Sequence, residues 1–176
     1  TLEIFDIHAI AKMAHAHGAK LAVDNTFASP VNQNPLALGA DFVVHSCTKY
    51  LGGHSDLTAG ALMGATELLA PVWNWRKNLG SMIAPEIAAL LARSIRTLPV
   101  RVRQQNDTAQ KVAEAMGKHP RVSRVLYPGL PDFPGAEVHG FAPEEPAAMH
   151  PSLPDRARYR RSHFEHGPRF VAHEVD

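Results

Sequence analysis

The spacing of apolar positions changes several times along this chain, and those changes divide it into elements. Between Asp6 and Gly18, Ile7, Ile10, Met13 and Ala14 recur three and four residues apart, which predicts an amphipathic helix. Asp6 is placed to cap its first turn, and Gly18 stands where a left-handed residue ends it. Leu21-Ala22-Val23 then forms a short apolar run ending in Asp24, the pattern of a buried strand whose last residue emerges at the sheet edge. After a polar, Pro-containing stretch with a helical turn at Leu36-Ala37-Leu38, Phe42-Val43-Val44 repeats the pattern and runs into His45-Ser46-Cys47-Thr48-Lys49. Ala59 to Met63 suggests a third strand. Ligands in open α/β sheets bind beyond the carboxyl ends of the strands, so Asp24 and the 46–49 stretch together form the candidate site.

Beyond the third strand the period turns helical. Leu68, Leu69, Val72, Trp73 and Leu79 suit one helix; Ile87, Leu90, Leu91, Ile95 and Leu98 suit another, stopped by Pro99. A further helix is expected from about Gln104 to Met116, with Ala109, Val112, Ala113 and Met116 inward. Val122 to Tyr127 then reads as the opening of a strand before the Pro128-Gly129 turn. The switch from α/β alternation to helices places residues 1–100 in a large domain, and 101–135 in a linker helix and the start of a smaller C-terminal domain. Residues 136–176 hold five prolines, five histidines and five arginines without a sustained period, which predicts a divergent, disordered tail. So abrupt a change of composition is what an out-of-frame or chimeric terminus produces, and an intact reading frame in the coding DNA would refute that origin.

Composition narrows the function. Of the 176 residues, 18 are Lys or Arg and 17 Asp or Glu, so the net charge of +1 offers no basic field to nucleic acid or an anionic membrane. The one cysteine, Cys47, cannot close an internal disulfide, and no apolar run approaches the roughly 18 residues of a membrane helix. A cytoplasmic protein is expected. The start at Thr1, with no Met and no signal-like segment, reads as a cut, and the chain as a fragment. No metal site is expected: His163 and His166 have i,i+3 spacing but no partner at ligand spacing, and His15 and His17 point in different directions on their helix.

Among Lys12, Lys20, Lys49, Lys77, Lys111 and Lys118, only Lys49 follows directly on an apolar strand and a cluster of hydroxyls. A lysine held at a sheet edge in low-dielectric surroundings favours the neutral amine that forms an imine with a carbonyl. Ser46 and Thr48 alternate onto one side of an extended segment and suit a phosphate, Gly52 and Gly53 permit close backbone approach, and Asp24 suits a protonated pyridine nitrogen. Singly, each has a plain alternative: a solvated lysine, an Asx turn, two loop caps. Together they meet the requirements of pyridoxal phosphate, although spacing alone does not name the cofactor.

Three stretches carry a resemblance: Ala22-Val23-Asp24-Asn25-Thr26-Phe27, Leu38-Gly39-Ala40-Asp41, and Val44-His45-Ser46-Cys47-Thr48-Lys49-Tyr50-Leu51-Gly52-Gly53-His54-Ser55-Asp56. They closely resemble the Cys/Met-metabolism (trans-sulfuration) family of pyridoxal-phosphate enzymes, which includes cystathionine γ-synthase, cystathionine β- and γ-lyases, methionine γ-lyase and O-acetylhomoserine sulfhydrylase. The likeness continues through Arg96-Thr97-Leu98-Pro99-Val100-Arg101 and Tyr127-Pro128-Gly129-Leu130, covering about Thr1 to Gly135. It implies an α/β, fold-type I (aminotransferase-like) architecture, of which this chain holds the C-terminal half of the large mixed-sheet domain and the start of the small domain. It also implies a cytosolic homotetramer built as a dimer of dimers, acting on a small amino-acid substrate.

By the same resemblance, Lys49 is the cofactor-binding and catalytic lysine, Asp24 the partner of the ring nitrogen, and Ser46 and Thr48 phosphate ligands. Asn25 and Thr26 shape the turn around Asp24, His54 and Asp56 have structural roles, and Cys47 fills a slot for a small residue. The family's glycine-containing phosphate loop, its ring-stacking tyrosine and the residues lent by a neighbouring subunit belong upstream of Thr1, and the arginine that grips the substrate carboxylate matches no position in the tail. The implied reaction is elimination or replacement at the β or γ carbon of a sulfur-containing or O-activated amino acid. A non-catalytic fragment or degenerate paralogue serving as an interaction module is the alternative. A cofactor-free imine aldolase would leave Asp24, Ser46 and Thr48 without a shared purpose. Central strands without their neighbours expose backbone and apolar faces, so the isolated chain is expected to fold poorly or aggregate.

Overall fold

The computed structural model describes residues 3–135, Val138 and 171–173. Helix α1 (Ile7–Ala16) opens as its sequence predicts: the Asp6 carboxylate accepts the Ala9 N–H at 2.9 Å, and Gly18 takes φ +70° beyond its end. Strands β1 (Ala22–Asp24) and β2 (Phe42–Ser46) pair in parallel with Asp24 opposite Val44. Between them lie a short helix, α2 (Ser29–Asn32), and overlapping turns around Leu36 to Gly39. Strand β3 (Gly60–Gly64) runs antiparallel to β2, with Ser46 opposite Gly60. Strand β4 (Val171–His173) pairs antiparallel on the far side of β3, giving the mixed order β1-β2-β3-β4. The rest of the 136–176 stretch, with His163, His166 and the expected disorder, lies outside the described residues apart from Val138.

Helices α3 (Thr66–Leu79), α4 (Pro85–Ile95) and α5 (Leu98–Gly117) follow. The helix expected from Gln104 begins six residues earlier, because Pro99 does not stop α4 but occupies the first turn of α5. A proline is harmless there, since first-turn N–H groups have no partner inside the helix. The helix therefore runs unbroken across residue 100, where the sequence suggested a domain boundary. No strand forms over 122–127: Val122 bonds back to His119 in a turn, and no neighbouring strand pairs with the segment among the described residues.

The core gathers where β2 ends. Cys47, Leu51, Leu57, Ala59, Leu91, Leu98 and Val102 form one buried cluster, with Ile83, Ile87 and Leu90 packed against it. Two of these residues, Cys47 and Leu51, bracket Lys49, so the segment carrying the candidate lysine is anchored at both ends by apolar burial.

Candidate active site

At Ser46 the strand ends and the backbone turns sharply. Cys47 N and Thr48 N both donate to Ala59 O, at 2.7 and 3.3 Å, and Gly52 N donates to Cys47 O at 2.7 Å, winding Cys47–Leu51 into one π-helical turn. The extended segment expected to place Ser46 and Thr48 on one side is therefore absent: alternation stops at Ser46, and Thr48 belongs to the turn. Its Oγ1 accepts the Ala59 N–H at 3.1 Å, which leaves the hydroxyl proton available to an anion. Lys49 interrupts the turn with φ −87° and ψ −118°, and Gly53 N closes on its carbonyl at 2.7 Å.

Residues opposite one another in a ladder share a face, and alternate residues of a strand share it too. Asp24, opposite Val44, therefore projects from the same face as Ser46, at the carboxyl ends of adjoining parallel strands. The Asn25-Thr26 pair fixes that juxtaposition. Asn25 N donates to Val44 O at 2.9 Å, Thr26 N to the Asp24 carboxylate at 2.9 Å, and the Thr26 hydroxyl accepts the Ser46 N–H at 2.8 Å. Asn25 and Thr26 are themselves buried, while the bonds they make to Asp24 and Ser46 are part-buried.

Thr48 and Lys49 open into a depression of about 730 Å³ whose walls include Phe27, Tyr50, Asp56 and Gln105. Asp24 and Ser46 stand at the strand ends, outside that lining. Lys49 is exposed, so the low-dielectric setting expected for its amine is not supplied by the described residues. Two neighbours are buried instead. Burial lowers the affinity of His45 for a proton, opposed by the charge of Asp24, and keeps the imidazole neutral near pH 7. Burial pushes the Cys47 thiol up to about 11, which makes it a packing group rather than a nucleophile. His54 donates from Nδ1 to Gly52 O at 2.7 Å, a bond that steadies the end of the turn. Among the described residues no group of three or more His, Cys, Asp or Glu is placed to hold a metal ion.

A mixed sheet with an acid and a hydroxyl at the carboxyl ends of parallel strands, and a lysine on the turn that follows, places this chain among α/β proteins with a candidate site at the strand ends. Residues 1–150 match the family described as Cys/Met metabolism PLP-dependent enzyme. The chain belongs to that family, and its fold is the fold-type I architecture of PLP-dependent synthases and lyases. It is 47% identical over 137 residues to cystathionine gamma-synthase 1, chloroplastic, of Arabidopsis thaliana, covering 78% of this chain and 24% of that protein. It is 46% identical over 138 residues to the chloroplastic cystathionine beta-lyase of the same plant, covering 78% of this chain and 30% of that one. Among solved structures, the apo form of a methionine gamma lyase from Micromonospora echinospora superposes with a TM-score of 0.75 at 40% identity, over 78% of this chain and 38% of that one. The chain thus spans about a quarter to two fifths of the length of these relatives.

Proposed function

We propose that the protein containing this chain uses pyridoxal phosphate to eliminate or replace a β or γ substituent on a sulfur-containing or O-activated amino acid. The observation that carries the reading is the placement of Lys49 on an anchored turn directly after the strand end that holds Ser46 beside Asp24. The donor set fits the group: a carboxylate, two hydroxyls and a primary amine, next to a depression of about 730 Å³. When bound, the cofactor withdraws electrons from the carbon being deprotonated. Lys49 Nζ would hold the cofactor and carry protons at the substrate carbons, Asp24 would keep the ring nitrogen protonated, and Ser46 and Thr48 would donate to the phosphate.

The relatives above include a synthase, a β-lyase and a γ-lyase by name, at similar identity, so the type of bond cleaved is not chosen by that likeness. Assembly as a homotetramer and a cytoplasmic location belong to the same proposal. Among the described residues no helix is long and apolar enough to cross a membrane. The alternative of a non-catalytic interaction module gains no support from the relatives named above.

The test is the absorbance of the full-length protein with added pyridoxal phosphate, before and after borohydride, followed by peptide mapping. A borohydride-fixed label on Lys49, absent from Lys49→Ala, is the expected result. No band, or label scattered over several lysines, would refute the assignment.

A further inference from the structure

Every helix end leaves carbonyls without donors, and the turn that carries Lys49 is no exception. The chain's own donors close on Cys47 O, from Gly52 N, and on Lys49 O, from Gly53 N. The carbonyls of Tyr50 and Leu51, directly after the lysine, take their donors from α5 instead. Arg101 Nη1 donates to Tyr50 O at 2.9 Å, and Nη2 reaches Leu51 O at 3.5 Å and Ser94 O at 3.1 Å. Its Nε donates to Thr97 Oγ1 at 3.0 Å, which aims the guanidinium from its own helix. A rigid planar fork matches adjacent carbonyls in a way that a lysine cannot, and its charge sits at the negative end of the turn. Gly53 makes room: it adopts φ +72°, and a Cβ there would collide with the guanidinium.

We propose that Arg101 is a positioning residue, which caps the Lys49 turn and thereby fixes where the Lys49 amine lies relative to Asp24. The inference rests on the reading of Lys49 given above. In chemical terms the cap replaces one missing turn of helix with a side chain from α5, so the position of the amine depends on how α5 packs against the turn.

The test uses the full-length protein with three substitutions. Arg101→Met keeps the apolar stem and removes every donor, Arg101→Lys keeps the charge without the fork, and Gly53→Ala leaves Arg101 in place but displaces its head. Cofactor-free protein is read first by hydrogen exchange at the backbone amides of positions 52 and 53, where each variant should exchange about tenfold faster than wild type, while α1 and β1 stay unchanged. With added pyridoxal phosphate, the pH midpoint of the absorbance change should move by about half a unit or more, and borohydride label should spread from Lys49 to other lysines. A purely structural role would lower the melting temperature and leave midpoint and label distribution as in wild type, which would overturn the proposal. Unchanged exchange at positions 52 and 53 would overturn it as well. If wild type itself fails to label Lys49, the functional reading falls, and the exchange result alone decides whether Arg101 holds the turn. Should Arg101→Met not fold, the other two variants, which both keep a cation, carry the same readouts.

Discussion

Thr26→Val isolates the bond that joins the two strand ends. Valine has nearly the shape of threonine, so the substitution exchanges a hydroxyl for a methyl at a residue only 6% exposed. The hydroxyl accepts the Ser46 N–H at 2.8 Å, and without it that donor is left unpaired in a part-buried setting. An orphaned donor costs about 1–3 kcal/mol, and the extra methyl returns about 0.8 kcal/mol of burial. The net loss is about 1 kcal/mol, falling on the position of Ser46 relative to Asp24. Thr26→Ser is the matched control, since it keeps the acceptor and loses a methyl worth about 0.8 kcal/mol. The two variants should therefore unfold at similar urea concentrations in the full-length protein, yet differ in cofactor affinity. Thr26→Val should bind pyridoxal phosphate about fivefold more weakly, by the rule that 1.4 kcal/mol is a factor of ten, and Thr26→Ser as wild type. Equal weakening in both, or a larger effect in Thr26→Ser, would show that packing rather than the hydrogen bond sets the site.

The remaining predictions concern stability and reactivity. Asp41 accepts from Leu21 N, His15 and Lys20 between 2.8 and 2.9 Å, and these bonds hold its carboxyl well below the usual carboxylate range. A depressed carboxylate stabilises the fold above its unfolded value of about 3.9 and loses that contribution as pH falls below it, so Asp41→Asn should flatten the acid limb of stability measured by urea midpoint. A slope equal to wild type below pH 4 would refute this. Cys47, with its thiol pushed up to about 11 and no exposed surface, should resist a thiol reagent at pH 8 until denaturant is added; stoichiometric labelling of the native protein would contradict its burial. The isolated 176-residue chain exposes Phe27, Trp75, Leu79 and Met82 and should bind an apolar dye and aggregate, whereas a monodisperse, cooperatively melting sample would refute the expectation.

What the sequence made legible was set by the range of the forces involved. The Asp6 cap and the polar ends of β1 and β2 depend on neighbours within four residues and are found as expected. The buried face of α1, however, is Ile7 and Ala11 with Met13 exposed, and β1, expected to be buried, leaves Ala22 exposed, because burial depends on what packs over a face. Pro99 was ambiguous because the same missing N–H both ends one helix and starts another, and only the packing of Leu98 and Val102 into the core decides between them. Val122–Tyr127 has strand-forming residues, but a strand exists only with a partner to pair with. The π turn was illegible for the same reason. Its own bond, Gly52 N to Cys47 O, is local, but its start is anchored by Ala59 O, which draws in two N–H groups from residues more than ten positions earlier. Asp24, Ser46, Thr48 and Lys49 were identifiable by residue type, but their division between a sheet face and a depression was not.

Arg101 shows why long-range caps escape a reading of one sequence. It lies in the Arg96–Arg101 stretch that carries the family likeness, but that likeness gives it no role, and an arginine in a polar helix is normally a solvated surface group. Its role is visible only when Gly53, Tyr50 and Leu51 are brought to it, and then the absence of a side chain at Gly53 and the presence of a fork at Arg101 become one feature. The same contact ties α5 to the turn, while Leu98 and Val102 of that helix pack with Cys47 and Leu51 on either side of Lys49. Apolar burial locates the turn to within a side chain's width, and directional donors then fix its carbonyls. A site that must hold an amine to a fraction of an ångström needs both, because packing without hydrogen bonds leaves rotation of the peptide planes free.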